Sequence, residues 1–152
     1  MDRIQELLDK QDITALLHRY SLALDTRDWA LLETCFRADA VFVTDGFEPC
    51  DGFPVIRQAI ETALGGLDQS QHYLTNVLVS LDVDTATVTS YLQAQHVRRS
   101  AQGDPNYVVA GIYRDEVVRT ASGWYFARRT LQVTWTEGNP DVPVGKVASV
   151  NG

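Results

Sequence analysis

Cysteine is scarce in this chain. The two present, Cys35 and Cys50, form no CxxC pair and have no histidine ligand set nearby. That excludes a disulfide scaffold and a structural zinc site, and both thiols are expected to be ordinary half-buried side chains. Long apolar runs are missing too. No stretch is long enough to span a bilayer, and the opening MDRIQELLDK alternates charge with apolar residues where a signal peptide would carry an unbroken apolar core. The expectation is a cytosolic protein. Positive charge is in deficit: 13 Lys and Arg against 20 Asp and Glu give a formal net charge of -7, with a pI near 4.8. Phosphate backbones and anionic lipid surfaces are repelled by such a chain, so nucleic-acid and membrane partners are not expected. There is no P-loop, no GxGxxG at a strand-to-helix junction, no HExxH, no internal repeat, no linker and no low-complexity tract.

What is present is one globular domain. The 152 residues suffice for a single core, and 45% hydrophobic with 22% charged residues is an ordinary globular balance. Ile4, Leu7, Leu8, Ile13, Leu16, Leu17, Tyr20 and Leu24 recur at helical spacing, which predicts a long amphipathic helix through about residue 24. Asp25-Thr26-Arg27 reads as a tight corner, and Asp28 as the N-cap of a short helix from Trp29 to Phe36. Ala40 to Thr44 reads as a strand. Phe53 to Leu64 reads as a third helix, with Pro54 in its first turn and Gly65-Gly66 after its end. The period then changes. His72 to Val83, Ala86 to Arg99, Tyr107 to Arg119 and Trp124 to Trp135 are rich in Val, Tyr, Thr and Leu and are joined by short turns, which predicts an antiparallel meander. Helices followed by a curved meander make the fold class α+β. The domain is expected over residues 1–136, with 137–152 as a loose tail or a lid.

Alternation along the strands places polar groups among apolar ones. Tyr125, Ala127, Arg129, Leu131 and Val133 share a face, as do Ala86, Val88, Ser90, Leu92, Ala94 and His96, and His72 shares parity with Leu74, Asn76 and Leu78. His72, His96 and Arg129 are therefore expected to face one hollow.

Three segments carry a resemblance over nearly the whole length: DITALLHRYSLALDTRDWALLETCFRADAVF, SQHYLTNVLVSLDVDTATVTSYLQAQHV and GIYRDEVVRTASGWYFARRTL. In their order and spacing they resemble the SnoaL-like branch of the nuclear-transport-factor-two-like superfamily. Within it the motifs are similar to those of lyases built on an Asp-His pair: scytalone dehydratase, hexachlorocyclohexane dehydrochlorinase and bile-acid dehydratase. The resemblance implies a cone-shaped curved sheet wrapped by three helices. It places the family's acid on Asp25 of LDTRDW and its catalytic histidine on His72 of QHYLTN. It places a tyrosine of some dehydratases on Tyr20 and an arginine of several lyases on Arg129 of WYFARR. His96 has no uniform counterpart in the family.

The implied chemistry fits the residue types. A carboxylate bonded to one ring nitrogen fixes a histidine's tautomer and stabilises its imidazolium, so Asp25 and His72 would form a general acid/base dyad. Arg129 and the Tyr20 hydroxyl would meet developing negative charge. His96, Trp29, Asn76 and Leu92 are expected to contact the substrate. No metal or organic cofactor is called for. Each residue also has a structural reading: Asp25 can close the helix corner, His72 can be a satisfied strand-end histidine, and Arg129 can pair with a carboxylate such as Asp115. Tyr20 can be core, Trp29 core or interface, and His96 plain cavity lining. The function expected is a dehydratase-like lyase, isomerase or cyclase acting on a small, mostly apolar, cyclic oxygenated molecule. The alternative is a non-catalytic binding module or β-subunit of the same fold. A homodimer or homotrimer is expected, because an open curved sheet leaves an outer face to cover.

Overall fold

The computed structural model describes residues 2–143. Helix α1 spans Arg3–Thr26, α2 Trp29–Glu33 and α3 Phe53–Leu64. The strands are β1 Phe36–Thr44, β2 Cys50–Asp51, β3 Gln69–Asp82, β4 Thr85–Val97, β5 Asn106–Thr120 and β6 Gly123–Gly138. They form one six-stranded sheet in the order β2-β1-β6-β5-β4-β3, with β2 and β3 at its open edges. The pairs from β3 to β6 are antiparallel, and β1 joins β6 in parallel. This is the expected α+β class, a curved, unclosed sheet with helices on its inner side.

Local chemistry explains the helices. The Asp2 side chain accepts from the Ile4 N–H and caps α1. Ile13, Leu16, Leu17, Tyr20, Ala23 and Leu24 then form the buried stripe. The helix runs two residues further than the apolar pattern implied, so Asp25 belongs to its last turn. It stops at Arg27, whose φ of 57° lies in the left-handed region, where the Arg27 N–H bonds to Ala23 and Leu24 carbonyls. Asp28 caps α2 by accepting from the Leu31 N–H at 2.9 Å. α2 ends at Glu33 rather than Phe36, because Phe36 already belongs to β1 and faces Phe126 of β6.

Bulges interrupt the sheet at several places, and those in β6 at Ala127 and in β3 at Asn76 bear on the expected faces. In β6 the register slips between Val117↔Phe126 and Glu116↔Arg128, leaving Ala127 as an extra residue. Trp124 and Phe126 are buried before it, and Arg129, Leu131 and Val133 after it. The expected common face of Tyr125 and Ala127 with Arg129 is therefore corrected. In β3 the register slips between Thr75 and Leu78, with Asn76 at φ 53°. His72 and Leu74 point inward ahead of this bulge, whereas Asn76 is exposed and Leu78 is 72% exposed. β4 has no bulge, and its predicted inward set from Ala86 to His96 is buried throughout.

The core lies between α1, α3 and the inner face of the sheet. The body extends past residue 136: β6 runs to Gly138, Val142 is buried, and the Arg98 guanidinium donates to the Asp141 and Val142 carbonyls. The rest of the expected tail, 144–152, lies outside the described residues.

Candidate active site

A cavity of about 490 Å³ opens between α1, α3 and the concave side of the sheet. Its walls are mostly apolar, with Leu24, Ile56, Ile60, Leu92, Val109 and Leu131 among them, and His72, His96, Tyr20 and Tyr113 supply polar atoms. The loop between β1 and β2 contributes Phe47 and Glu48.

His72 stands near the start of β3, against the end of α1. Its Nδ1 lies 2.6 Å from Asp25 Oδ1, and its backbone N–H donates to Asp25 Oδ2 at 2.8 Å. Ser70 Oγ donates to Asp25 Oδ1 at 3.0 Å and accepts from Arg27 Nη1 at 2.8 Å. A carboxylate in the last turn of a helix faces the negative end of the macrodipole, and these three donors offset that. Burial alone would raise the Asp25 pKa. The bonds and charge of His72, with the Ser70 hydroxyl, outweigh burial and hold the carboxyl below its usual range. Because the carboxylate can only accept, Nδ1 carries the proton and donates it, and in the neutral imidazole Nε2 is then the lone-pair site. His72 lines the cavity and Asp25 stands behind it.

His96 is 3% exposed, and its ring lies 5.6 Å from that of His72 at an angle of 85°. Its Nδ1 is 3.2 Å from the Tyr107 carbonyl oxygen, so Nδ1 is the donor and Nε2 again the acceptor. Burial, reinforced by the neighbouring His72, lowers its pKa to about 4. His96 is thus a neutral imidazole at neutral pH.

Arg129 is corrected. It is 0% exposed and does not line the cavity. Its guanidinium carbon stacks 3.7 Å from the Tyr113 ring centre, 4.2 Å from that of Tyr20 and 4.3 Å from that of Phe126. Nη2 donates to Asp115 Oδ2 at 3.2 Å, and Nε lies 3.1 Å from Oδ1 but off the line of a good hydrogen bond. The structural alternative, pairing with Asp115, is the arrangement seen, and the aromatic layer separates the cation from the cavity. Tyr20 lines the cavity, its hydroxyl 3.5 Å from that of Tyr113. Leu92 lines it as well. Trp29 does not: it is half-buried and packs against the core beside the α1–α2 corner. Asn76 is also corrected, because the β3 bulge turns it to solvent.

Sequence reasoning passed over Tyr113, although the alternation of Tyr107, Val109, Tyr113, Asp115 and Val117 along β5 contained the signal. It also passed over the wall from α3, where Ile56, Ile60 and Ala63 fall on one helical face. Among the described residues no group of three or more His, Cys, Asp or Glu side chains is placed to hold a metal ion.

Known proteins share this arrangement of chain. A protein of Penicillium crustosum, the terrestric acid biosynthesis cluster protein E, is 29% identical over 139 residues, covering 88% of each chain. A candidate scytalone dehydratase from Novosphingobium aromaticivorans superimposes with a TM-score of 0.82 at 22% identity, covering 96% of this chain and 97% of that one. A hexachlorocyclohexane dehydrochlorinase of type 2 superimposes with a TM-score of 0.79 at 16% identity, covering 97% and 98%. The two structural likenesses establish the common fold. The profile of the SnoaL-like domain matches residues 5–130, most of the chain, and the protein belongs to that family.

Proposed function

We propose that the protein is a lyase of the dehydratase type, needing no cofactor and acting on a small cyclic ketone or related oxygenated ring. The observation that carries this reading is the Asp25-His72 pair, 2.6 Å apart, with the free Nε2 of His72 on the side of an apolar cavity. The neighbours named as dehydratase and dehydrochlorinase lend it support, since both names denote eliminations.

In the proposed reaction His72 Nε2 takes a proton from the carbon next to a carbonyl. The C–H electron pair becomes the new C=C bond, and hydroxide leaves the adjacent carbon, taking the proton back from the imidazolium as water. Asp25 stabilises the transient imidazolium without itself being protonated. His96 Nε2 accepts a hydrogen bond from the departing hydroxyl.

The first half-step can be tested without knowing the natural substrate. In D₂O the wild type should exchange the α-protons of 2-tetralone faster than buffer does, read by proton NMR. His72→Ala should lower that rate about a hundred- to ten-thousand-fold. A wild type that binds the ketone but neither exchanges its protons nor dehydrates any β-hydroxy ketone would return the protein to a binding role.

A further inference from the structure

The cavity has a mouth, and one charged side chain stands in it. Most of the wall is buried or half-buried. Phe47, Glu48 and Ala59 are the lining residues that also face solvent, so the opening lies between the β1–β2 loop and α3. β1 runs parallel to β6 with Thr44 opposite Leu131, and the Asp45 N–H still donates to the Leu131 carbonyl as the loop departs. Further along β6, Val133 pairs with Gly111, Gly111 with Leu92, and Leu92 with Leu74, the inward neighbour of His72 on β3. The loop therefore leaves the sheet towards the histidine end of the cavity, and a molecule bound for His72 passes Glu48 on its way in.

Charge at this mouth is one-sided. Glu48 is the one carboxylate of the wall, no Lys or Arg lines it, and among the described residues Glu48 forms no ion pair. Behind the wall the charges are already matched. Asp25 is bonded to His72 and, through Ser70, to Arg27, while Arg129 is paired with Asp115 behind the tyrosine rings. His96, with its pKa lowered to about 4, brings no positive charge at neutral pH. An anion in the apolar interior is thus desolvated without a counter-ion. At the rim it meets the Glu48 charge beside low-dielectric walls that concentrate the field. The formal net charge of -7 acts in the same direction at longer range. An uncharged ring bears none of these costs.

We propose that Glu48 is a charge filter at the mouth of the cavity, admitting uncharged rings and turning away carboxylates, phosphates and thioesters of anionic carriers. This deepens the lyase reading by naming the substrate class, a free uncharged molecule, and rests on that reading only for calling the admitted ring a substrate.

The protein carries its own probe of the mouth. Cys50 lines the cavity two positions from Glu48, whereas Cys35 is fully buried. The test is the rate at which Cys50 reacts with two methanethiosulfonates of similar shape, one bearing an anionic ethylsulfonate and one a cationic ethyltrimethylammonium group. Each rate is divided by that of mercaptoethanol with the same reagent, and the modified peptide is identified by mass spectrometry. Burial and the charge of Asp51 raise the pKa of the Cys50 thiol, but any change in its thiolate fraction cancels in the ratio of the two rates on one protein. At low salt the wild type should favour the cation roughly tenfold or more. Glu48→Gln should cut that preference about three- to tenfold, Glu48→Lys should cut it again by a similar factor, and about 0.5 M salt should compress the wild-type ratio. A ratio that is the same in wild type, Glu48→Gln and Glu48→Lys would overturn the filter. So would failure of both reagents to reach Cys50, which would remove the mouth. Labelling needs no turnover, so the two readings fail separately. A protein with the filter that exchanges no protons sinks the lyase alone, and one that exchanges protons with an unchanging ratio sinks the filter alone.

Discussion

Asp25 grips His72 at two points, the ring through Oδ1 and the main chain through Oδ2. The end of α1 therefore fixes both where β3 begins and how the imidazole is turned. An amide at this position has one acceptor oxygen and one donor nitrogen where the His72 ring, the His72 N–H and the Ser70 hydroxyl all donate. Asp25→Asn should either leave one of the His72 donors unpaired or, by donating to Nδ1, hold the ring in the tautomer whose Nε2 is protonated, and it should withdraw the negative charge from the imidazolium. α-Proton exchange by the variant should fall about a thousandfold or more, while its circular dichroism stays that of the wild type. A rate close to wild type would dismiss the dyad.

The same pair sets a pH dependence of stability. The folded-state pKa of Asp25 is depressed, so its contribution is present above the unfolded value, about 3.9, and is lost as the pH falls through the lower folded value. Melting temperatures of wild type and Asp25→Asn should therefore differ at pH 7 and begin to converge only below about pH 4. A gap that stays constant down to pH 2.5 would mean that Asp25 is not held in its charged form by the fold.

His96 acts as a base with a depressed pKa, about 4 against an ordinary 6.5. Burial is the main cause, with the charges of His72 and Arg27 in the same direction and the Tyr107 carbonyl and Asp25 opposing them. Between pH 6.5 and 4 the unfolded chain binds a proton that the folded chain refuses, so acid costs stability, by about 3 kcal/mol over the window. Asp115, pushed up to about 6 by burial against the pull of Arg129, titrates in part of this window with the opposite sign. The comparison must therefore be between wild type and His96→Phe. Urea midpoints at pH 7, 5.5 and 4 should fall less steeply in the variant, and parallel profiles would show that His96 is charged in the folded protein.

Much of this site was legible because local rules and the fold agree. The α1 stripe, the Asp28 cap and the unbroken alternation of β4 are each written within a few residues, and they place Leu92 and His96 correctly. The pairing of Asp25 with His72 spans 47 positions and came from resemblance, since nothing local distinguishes a corner aspartate from a dyad member. What failed were inferences carried across a bulge. One extra residue reverses alternation, and Ala127 and Asn76 carry only a weak sequence mark of it. Arg129 has the inward parity expected, but parity does not reveal that Tyr20 and Tyr113 lie between it and the cavity.

Arg129 and Asp115 are both fully enclosed, so their energies are coupled. Asp115→Ala would leave a buried cation without its partner, at a cost of about 3–5 kcal/mol. Removing both charges, in Arg129→Met/Asp115→Leu, should be milder than the single change, because the desolvation that the pair bears disappears with it. Urea denaturation measures both. A double variant less stable than Asp115→Ala would mean that contacts of the guanidinium with its three aromatic rings outweigh its charge.

Asn76 makes the face change of β3 affordable to the backbone. Before it, His72 and Leu74 look into the cavity and core; after it, Val77, Val79 and Leu81 pack inward while Leu78 turns to solvent. The left-handed φ of 53° is tolerated by asparagine, is free for glycine and is strained for a β-branched residue. Asn76→Gly should therefore lie within about 0.5 kcal/mol of the wild type, and Asn76→Val should lose about 1–2 kcal/mol. Deleting Asn76 removes the bulge: Val77 then falls opposite Ser90, between the Thr75↔Tyr91 and Leu78↔Thr89 pairs, and uniform alternation keeps His72, Leu74, Val77, Val79 and Leu81 on the inner face. The deletion variant should therefore keep a cooperative thermal transition. Loss of that transition would show that the bend which the extra residue gives β3 is needed to bring the start of the strand, and His72 with it, to Asp25.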